Sequence, residues 1–128
     1  MPIAPSRSEP DVSAPWLLIL RSSPYAGPRF GEAIDLALVA GVFERSLTVL
    51  LIDDAVQALR QSQHGEQAGL RTASKLLTAL PEYDIDQVLA CEDSLAQAGL
   101  ADIPQFVQRV SVDDQRELIR KAHLVLND

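Results

Sequence analysis

The stretch QVLACEDSL, residues 87–95, decides the fold, because an apolar strand runs in it directly into the start of a helix. Three consecutive apolar residues, Val88 to Ala90, are typical of a strand buried on both faces of a parallel sheet. Side chains at the carboxyl ends of such strands line a crevice, where the next helix presents unpaired N–H groups. Cys91, the single cysteine of the chain, lies at this junction. A thiolate is the form of cysteine that reacts with sulfur donors, and this position can stabilise it.

Strand and helix patterns alternate on both sides of this stretch. Apolar runs predict strands at residues 16–20, 47–52, 86–90 and 123–126, and Phe106, Val107 and Val110 predict another at 106–110. Helical spacing predicts helical segments at residues 29–43, 55–60, 70–80, 94–100 and 113–122. Gly99 is expected to end the fourth of these segments, and Ser111, followed by Asp114, to cap the last. This alternation predicts a three-layer α/β/α fold with a mainly parallel sheet of about five strands. It leaves the order of the strands open.

Length and composition limit the class of protein. The chain has 128 residues, enough for one domain with its own core, and 47% apolar residues with only 5% aromatic ones predict an aliphatic core. The formal net charge of −7 argues against direct nucleic-acid binding, because neutralising phosphates needs a basic face. A lone thiol favours a reducing compartment, and we expect a cytoplasmic protein.

The first fifteen residues differ in character from the rest. They contain four prolines and three serines and no continuous apolar core, so we interpret residues 1–15 as a disordered extension and not as a secretory signal. The single domain is then expected to cover residues 16–128. No apolar run approaches the roughly 20 residues needed to span a bilayer, so no membrane association is expected.

An acidic pair, Asp53 and Asp54, follows the second predicted strand. Receiver domains carry such a pair after the first strand and a phosphate-accepting aspartate after the third, where this chain has Cys91, so the receiver interpretation fails. One of the two aspartates is expected to cap the following helix, since its first N–H groups need an acceptor.

The first strand is followed by a loop that contains Ser22, Ser23, Tyr25 and Gly27. It lacks the glycine spacing of a dinucleotide site and the lysine of a P-loop. Binding of a mononucleotide or another anion at the start of the following helix remains the alternative function. The plainer interpretation of this loop is a solvated turn or a contact with a partner. The two histidines, His64 and His123, show no metal-ligand spacing with the cysteine, so neither a metal nor another cofactor is expected.

Two interpretations of Cys91 stay open on the residues alone. The strand-end position favours a persulfide carrier. A buried structural cysteine is the alternative, because free cysteines are among the most buried residue types. Glu92 and Asp93 place two negative charges beside the thiol and oppose its ionisation. The start of the helix favours the thiolate by roughly 0.3–1 kcal/mol, and the two charges could cancel this contribution.

Three segments together resemble the sulfur-relay proteins of the TusC/DsrF type, within the DsrE-like superfamily. They are RSSPY at 21–25 leading into GEAIDLAL at 31–38, VLLIDDAV at 49–56, and VLACEDSL at 88–95 with GL at 99–100. The resemblance covers the chain from about Trp16 to its end. It implies an α/β fold and assembly with homologous B- and D-type subunits into a two-copy heterohexamer.

The resemblance also implies a function. In such complexes a persulfide arrives from an upstream carrier protein and passes through a cysteine to a downstream acceptor, ending in 2-thiolation of the tRNA wobble uridine; relatives serve sulfur oxidation. Cys91 is similar in placement to the acceptor cysteine of the D-type subunit, so in a C-type chain it is either a secondary sulfur site or a structural remnant. Ser22, Ser23 and Tyr25 would then form the crevice wall, and Asp53 and Asp54 would orient the neighbouring loop. The helix with Phe30 and Ile34, or the segment around Phe43, is the expected partner surface.

Overall fold

Five parallel strands form one sheet in the order β4-β3-β2-β1-β5. The computed structural model describes residues 16–42, 46–60, 73–83, 85 and 87–128. The strands are β1 (Trp16–Leu20), β2 (Leu47–Leu51), β3 (Gln87–Cys91), β4 (Val107–Val110) and β5 (Leu124–Asn127). All five predicted strands are confirmed to within one residue at each end, and the sheet is entirely parallel.

Within the described residues, four α-helices and two 3₁₀ segments connect the strands. The α-helices are α1 (Arg29–Val42), α2 (Ala73–Ala79), α3 (Glu92–Ala98) and α4 (Val112–Lys121). The 3₁₀ segments are Asp53–Leu59 and Pro81–Tyr83. The expected disordered extension at residues 1–15, the loop with His64 and the segment around Phe43 lie outside the described residues.

The strand order explains how the helices divide between the two faces of the sheet. The chain steps from β1 to β2, β3 and β4 in one direction, and right-handed crossovers then place α1, α2 and α3 on one face. The connection from β4 to β5 runs back across the sheet, which places α4 on the opposite face. Two buried clusters reflect this division. The larger includes Phe30 and Ile34 of α1, and the smaller joins Ile19, Leu50 and Leu89 of the sheet to Leu118 of α4.

Local signals end and begin the helices that flank the thiol. Gly99, with φ 70°, ends α3 in the left-handed conformation that glycine adopts most easily, and Leu100 N–H donates to the carbonyl of Leu95 at 2.9 Å. Ser111 begins α4, since its hydroxyl accepts a hydrogen bond from the N–H of Asp114 at 3.1 Å. The capping residue predicted for this last helix is therefore confirmed.

The prediction that Asp53 or Asp54 caps the following helix is wrong. The 3₁₀ segment begins at Asp53 itself, Ile52 precedes it as the cap residue, and no side chain caps this helix. Asp53 has φ 52°, the left-handed region, which turns the backbone abruptly at the end of β2. Its carboxylate lies instead near the guanidinium of Arg21.

Candidate functional site

Cys91 is the last residue of β3 and immediately precedes α3. Successive side chains of a strand point to opposite faces, so Cys91 shares the α4 face of the sheet with Leu89. The residue is 6% exposed. The strand-to-helix junction expected from the sequence is therefore present, and it holds the thiol between α3 and α4.

Neighbouring groups of α3 and α4 shift the pKa of the Cys91 thiol. Burial raises the pKa of the Cys91 thiol, but hydrogen bonds from the side chains of Ser94 and Gln115 and from the backbone N–H groups of Ser94 and Asp93 outweigh it, so the net pKa lies below the ordinary value. The donors come from both α3 and α4. This arrangement favours the thiolate.

The acidic residues after the cysteine do not reverse that direction. Glu92 and Asp93 are both exposed, so water screens their charges. The backbone N–H of Asp93, meanwhile, donates to the sulfur and lowers the pKa of Cys91. The expectation that this pair cancels the favourable position of the thiol therefore does not hold.

The turn after β2 reaches the same site through its backbone. The N–H of Asp53 donates to the hydroxyl oxygen of Ser94 at 2.9 Å. Ser94 is 7% exposed, so this hydrogen bond is buried. This hydrogen bond joins the turn that contains Asp53 to the helix that follows Cys91, although the two bonded residues lie 41 positions apart in the sequence.

A second set of polar contacts lies at the ends of β1 and β5. The side chain of Asp128 accepts from the N–H of Arg21 at 2.8 Å and from the N–H of Ser22 at 3.2 and 3.3 Å. The guanidinium of Arg21 lies 3.4 Å from the carboxylate of Asp53. Contacts therefore run from Asp128 through Arg21 and Asp53 to Ser94, which lies three residues after the cysteine.

The residues predicted for the crevice wall lie on the β1 side of this edge. Ser22 bonds to Asp128, and the Ser23 hydroxyl accepts from the N–H of Tyr25 at 3.2 Å. β2 separates β1 from β3, so roughly 10 Å lies between the ends of the two strands. Asp54 is exposed beside Asp53. The described contacts link Asp53 to Ser94 of the helix that begins after Cys91, and the serine loop lies farther away.

Ser94, Gln115, Arg21 and Asp128 belong to the site but were not singled out in the sequence. Ser94 could have been found, because the third residue of a helix that starts at a cysteine lies close to that residue. Asp128 directly follows the last strand, and the carboxyl ends of parallel strands meet at one edge. Gln115 depends on which face α4 covers, which requires the strand order.

Among the described residues, no group of histidine, cysteine and carboxylate side chains is placed to hold a metal ion. Within the same residues, no helix is both long and apolar enough to cross a bilayer.

Comparison with known proteins identifies relatives over nearly all of this domain. Residues 16–127 match the model of the DsrE/DsrF-like family. A protein of Pseudomonas aeruginosa named Protein TusC homolog is 32% identical over 112 residues, which is 86% of this chain and 94% of that protein. A protein of the same name from Vibrio parahaemolyticus is 31% identical over 111 residues, covering 85% and 94% of the two chains.

The fold comparison agrees. The crystal structure of the ychN protein from E. coli superimposes with a TM-score of 0.77 at 21% identity, covering 90% of this chain and 99% of that one. This likeness concerns the fold alone, whereas the family match and the sequence identities extend over the segments around Asp53 and Cys91. The chain belongs to the DsrE/DsrF-like family, as a protein of the TusC/DsrF type.

Proposed function

We propose that this protein is a subunit of a cytoplasmic sulfur-relay complex and that Cys91 accepts sulfur as a persulfide. The family match over residues 16–127 and the relatives named TusC homolog support the relay assignment. We further propose that this complex supports 2-thiolation of the tRNA wobble uridine. The chain assembles there with homologous B- and D-type subunits as a two-copy heterohexamer, between upstream and downstream sulfur carrier proteins.

The observation that carries the proposal is the position of Cys91, which ends β3 and immediately precedes α3 within the part of the chain that matches the family. A relay cysteine must be a thiolate near neutral pH to attack a persulfide, and the hydrogen bonds from α3 and α4 lower the pKa of this thiol. Neither a metal nor a nucleotide is required for the chemistry.

The transfer step balances without an external oxidant or reductant. The Cys91 thiolate attacks the outer sulfur of the donor's persulfide, and a new S–S bond forms at Cys91 while the donor's S–S bond breaks. The donor leaves as a thiolate, and the proton of its persulfide remains on the transferred sulfur. Attack by the next carrier's thiolate on the same sulfur returns Cys91 to its starting form.

The outer face of α1 is the partner surface that we favour. Phe30 and Ile34 face the core, whereas Leu36 and Val39 are 48% and 53% exposed on the same helix. Beside them, an open groove of about 470 Å³ between α1 and β5 is lined in part by Leu18 and Leu126. Exposed large aliphatic residues beside a groove are typical of a surface covered by another subunit, and the charged residues Arg29, Glu32 and Asp128 that also line this groove could orient such a partner.

Native mass spectrometry tests the proposal. The chain is co-purified with its partners, incubated with a persulfidated donor protein, and each subunit is then weighed intact. We expect homologous subunits in the complex and a gain of one sulfur on this chain, which Cys91→Ser abolishes.

Two outcomes would contradict parts of the proposal. Sulfur found only on a partner would contradict the role of Cys91 as an acceptor and would make this chain a scaffold. Recovery of the chain alone would contradict its membership in a complex. A Leu36→Glu variant tests the surface, with the exposed Ile119→Glu of α4 as its matched control. Only the Leu36 variant should weaken assembly.

A further inference from the structure

We propose that two copies of this chain pair through the free edge of β5, antiparallel and about a two-fold axis at Val125. The free edge is the side of β5 that is turned away from β1, and pairing there joins the two sheets into one. This inference goes beyond the proposed function, because it concerns the chain by itself and needs neither a sulfur donor nor another kind of subunit.

β5 is an edge strand without the features that usually protect such strands. Among the described residues, it pairs with β1 alone. Its first three residues, from Leu124 to Leu126, are aliphatic, and the strand contains neither a proline nor a charged residue. Leu124 is 39% exposed. An apolar edge strand presents unpaired backbone groups to another chain, so β5 is suited to extension of the sheet.

The opposite edge of the sheet, formed by β4, is protected. Gln108 and Arg109 are exposed in the middle of β4. The guanidinium of Arg109 donates a hydrogen bond to the carbonyl oxygen of Ala101 in the preceding loop. Charged side chains on an edge strand disfavour pairing with another chain. The contrast between the two edges indicates that association uses β5 and not β4.

Backbone hydrogen bonds determine which groups of β5 point to the free edge. The N–H of Asp128, directly after the strand, donates to the carbonyl oxygen of Ile19 in β1 at 3.2 Å. The N–H and C=O groups of successive residues in a strand point to opposite edges, so the even-numbered residues of β5 point to β1, as Asp128 does. The N–H and C=O groups of Val125 and Asn127 therefore point to the free edge.

A second, antiparallel copy of β5 matches these outward groups. With the axis at Val125, the two Val125 residues donate to each other's carbonyl oxygens, which is the pattern of a hydrogen-bonded pair. Leu124 then lies opposite Leu126 of the second copy, twice, at the positions where cross-strand side chains are closest. An axis moved to Leu126 would place Leu124 opposite Asp128 instead. Apolar residues therefore face apolar residues in the register centred on Val125.

The two ends of β5 are complementary in charge. Lys121 and His123 precede the strand and are exposed, whereas Asp128 follows it. In an antiparallel pair the start of one strand lies beside the end of the other, so the basic side chains approach the carboxylate of the second copy at both ends. The net charge of −7 opposes the approach of two identical chains, and this local complementarity offsets part of that repulsion.

Two-fold symmetry also limits the size of the assembly. In this contact the same edge of both copies is used, so neither β5 edge remains free for a third chain. The outer edges of the joined sheet are then the two protected β4 strands. We therefore expect a dimer and not a filament.

Sedimentation equilibrium of the purified full chain tests the pairing. We expect a concentration-dependent dimer in the wild type. Leu124→Glu places a carboxylate opposite Leu126 of the second copy at both symmetric positions, and the dissociation constant should rise by about tenfold. Val112→Glu of α4 is the matched control, because Val112 is also 39% exposed, and it should leave the constant unchanged. A wild type that is monomeric at every concentration, or an equal effect of both substitutions, would overturn the inference.

Engineered cysteines test the register. Leu124→Cys and Leu126→Cys are prepared separately in a Cys91→Ser chain, which removes the single native cysteine. One of the two variants carries a heavy-isotope label, and the mixture is oxidised and weighed intact. The disulfide between the two different variants should be the main product, because position 124 faces position 126 in this register. Disulfides between identical variants as the main products would overturn the pairing at Val125.

The same substitution distinguishes a second copy from another partner. If the purified chain were monomeric but Leu124→Glu released a homologous subunit from the complex, the β5 edge would belong to that subunit and the pairing with a second copy would be wrong. Sulfur loading on Cys91 is measured separately. A dimer of the purified chain without sulfur loading would contradict the proposed function and would support the pairing.

Discussion

Replacing Asp128 with alanine should destabilise the protein although the residue lies outside both buried clusters. Its carboxylate accepts from two successive backbone N–H groups, those of Arg21 and Ser22, at distances of 2.8 to 3.3 Å. It thereby ties the residue after β5 to the loop after β1. Alanine leaves both N–H groups without this acceptor.

The size of the effect follows from the kind of bond that is lost. Hydrogen bonds to charged groups contribute about 1.5–3 kcal/mol, and the lower end applies here because Arg21 is exposed and water can replace part of the contact. We expect Asp128→Ala to lower the free energy of unfolding by about 1.5 kcal/mol. For a domain of this size, that corresponds to a fall in Tm of roughly 5 °C.

Urea unfolding followed by circular dichroism measures the change, with Asp102→Ala as the control, since Asp102 is an exposed aspartate in the loop before β4. The same samples are melted with and without inorganic phosphate. The wild type should show no shift in Tm, because Asp128 already occupies the N–H groups that an anion would use; a ligand that bound there would raise Tm by mass action. An Asp128→Ala variant as stable as the wild type, or a phosphate-dependent Tm in the wild type, would refute this reasoning.

Three further predictions concern the helix ends and the thiol. Gly99→Ala should cost about 1–2 kcal/mol of unfolding free energy through backbone strain alone, because φ is 70° and a Cβ there meets nothing within 4 Å; an unchanged urea midpoint would contradict it. Ser111→Ala should cost about 1 kcal/mol, and Ser111→Asp should restore most of it, as measured by the same unfolding curves. The pKa of Cys91 is lowered in the folded state, so its ionisation adds stability that is fully present above the ordinary value of 9.0 and is lost as the pH falls through the folded pKa. The stability difference between wild type and Cys91→Ala should therefore shift in favour of the wild type as the pH rises through that window, and a constant difference would contradict the lowered pKa.

Three strands, β1, β2 and β3, were predictable because each is a short, nearly continuous apolar run, the pattern that burial on both faces imposes. At the edges of the sheet the pattern is weaker, since β4 has two exposed polar residues in its middle and β5 is only partly buried. Gly99 and Ser111 likewise marked helix boundaries by local chemistry that no tertiary contact overrides. Strand order was not predictable, since it depends on how crossovers pack and not on any one segment. That order decides which face α4 covers, and so the contact between Gln115 and Cys91 was outside the reach of sequence reasoning.

Asp53 shows why the site was only partly predictable. An aspartate before a helical segment is commonly a cap, and capping was the expectation. Here a left-handed φ turns its N–H toward Ser94 and its carboxylate toward Arg21, both distant in sequence. A tertiary hydrogen bond and an ion pair thus prevailed over a local preference worth about 1 kcal/mol.

The topology bears on the choice between small-ligand binding and protein-to-protein relay. Open α/β sheets bind ligands where the direction of the crossovers reverses, which in this strand order lies between β1 and β5. At that point the carboxylate of Asp128 accepts hydrogen bonds from the N–H groups of Arg21 and Ser22, so these two groups are not available to an anionic ligand. The thiol instead ends β3, two strands away, among donors suited to an anionic sulfur. Because the Cys91 thiol lies outside the position where such sheets bind small ligands, its location favours reaction with the cysteine of a partner protein over reaction with a bound small molecule.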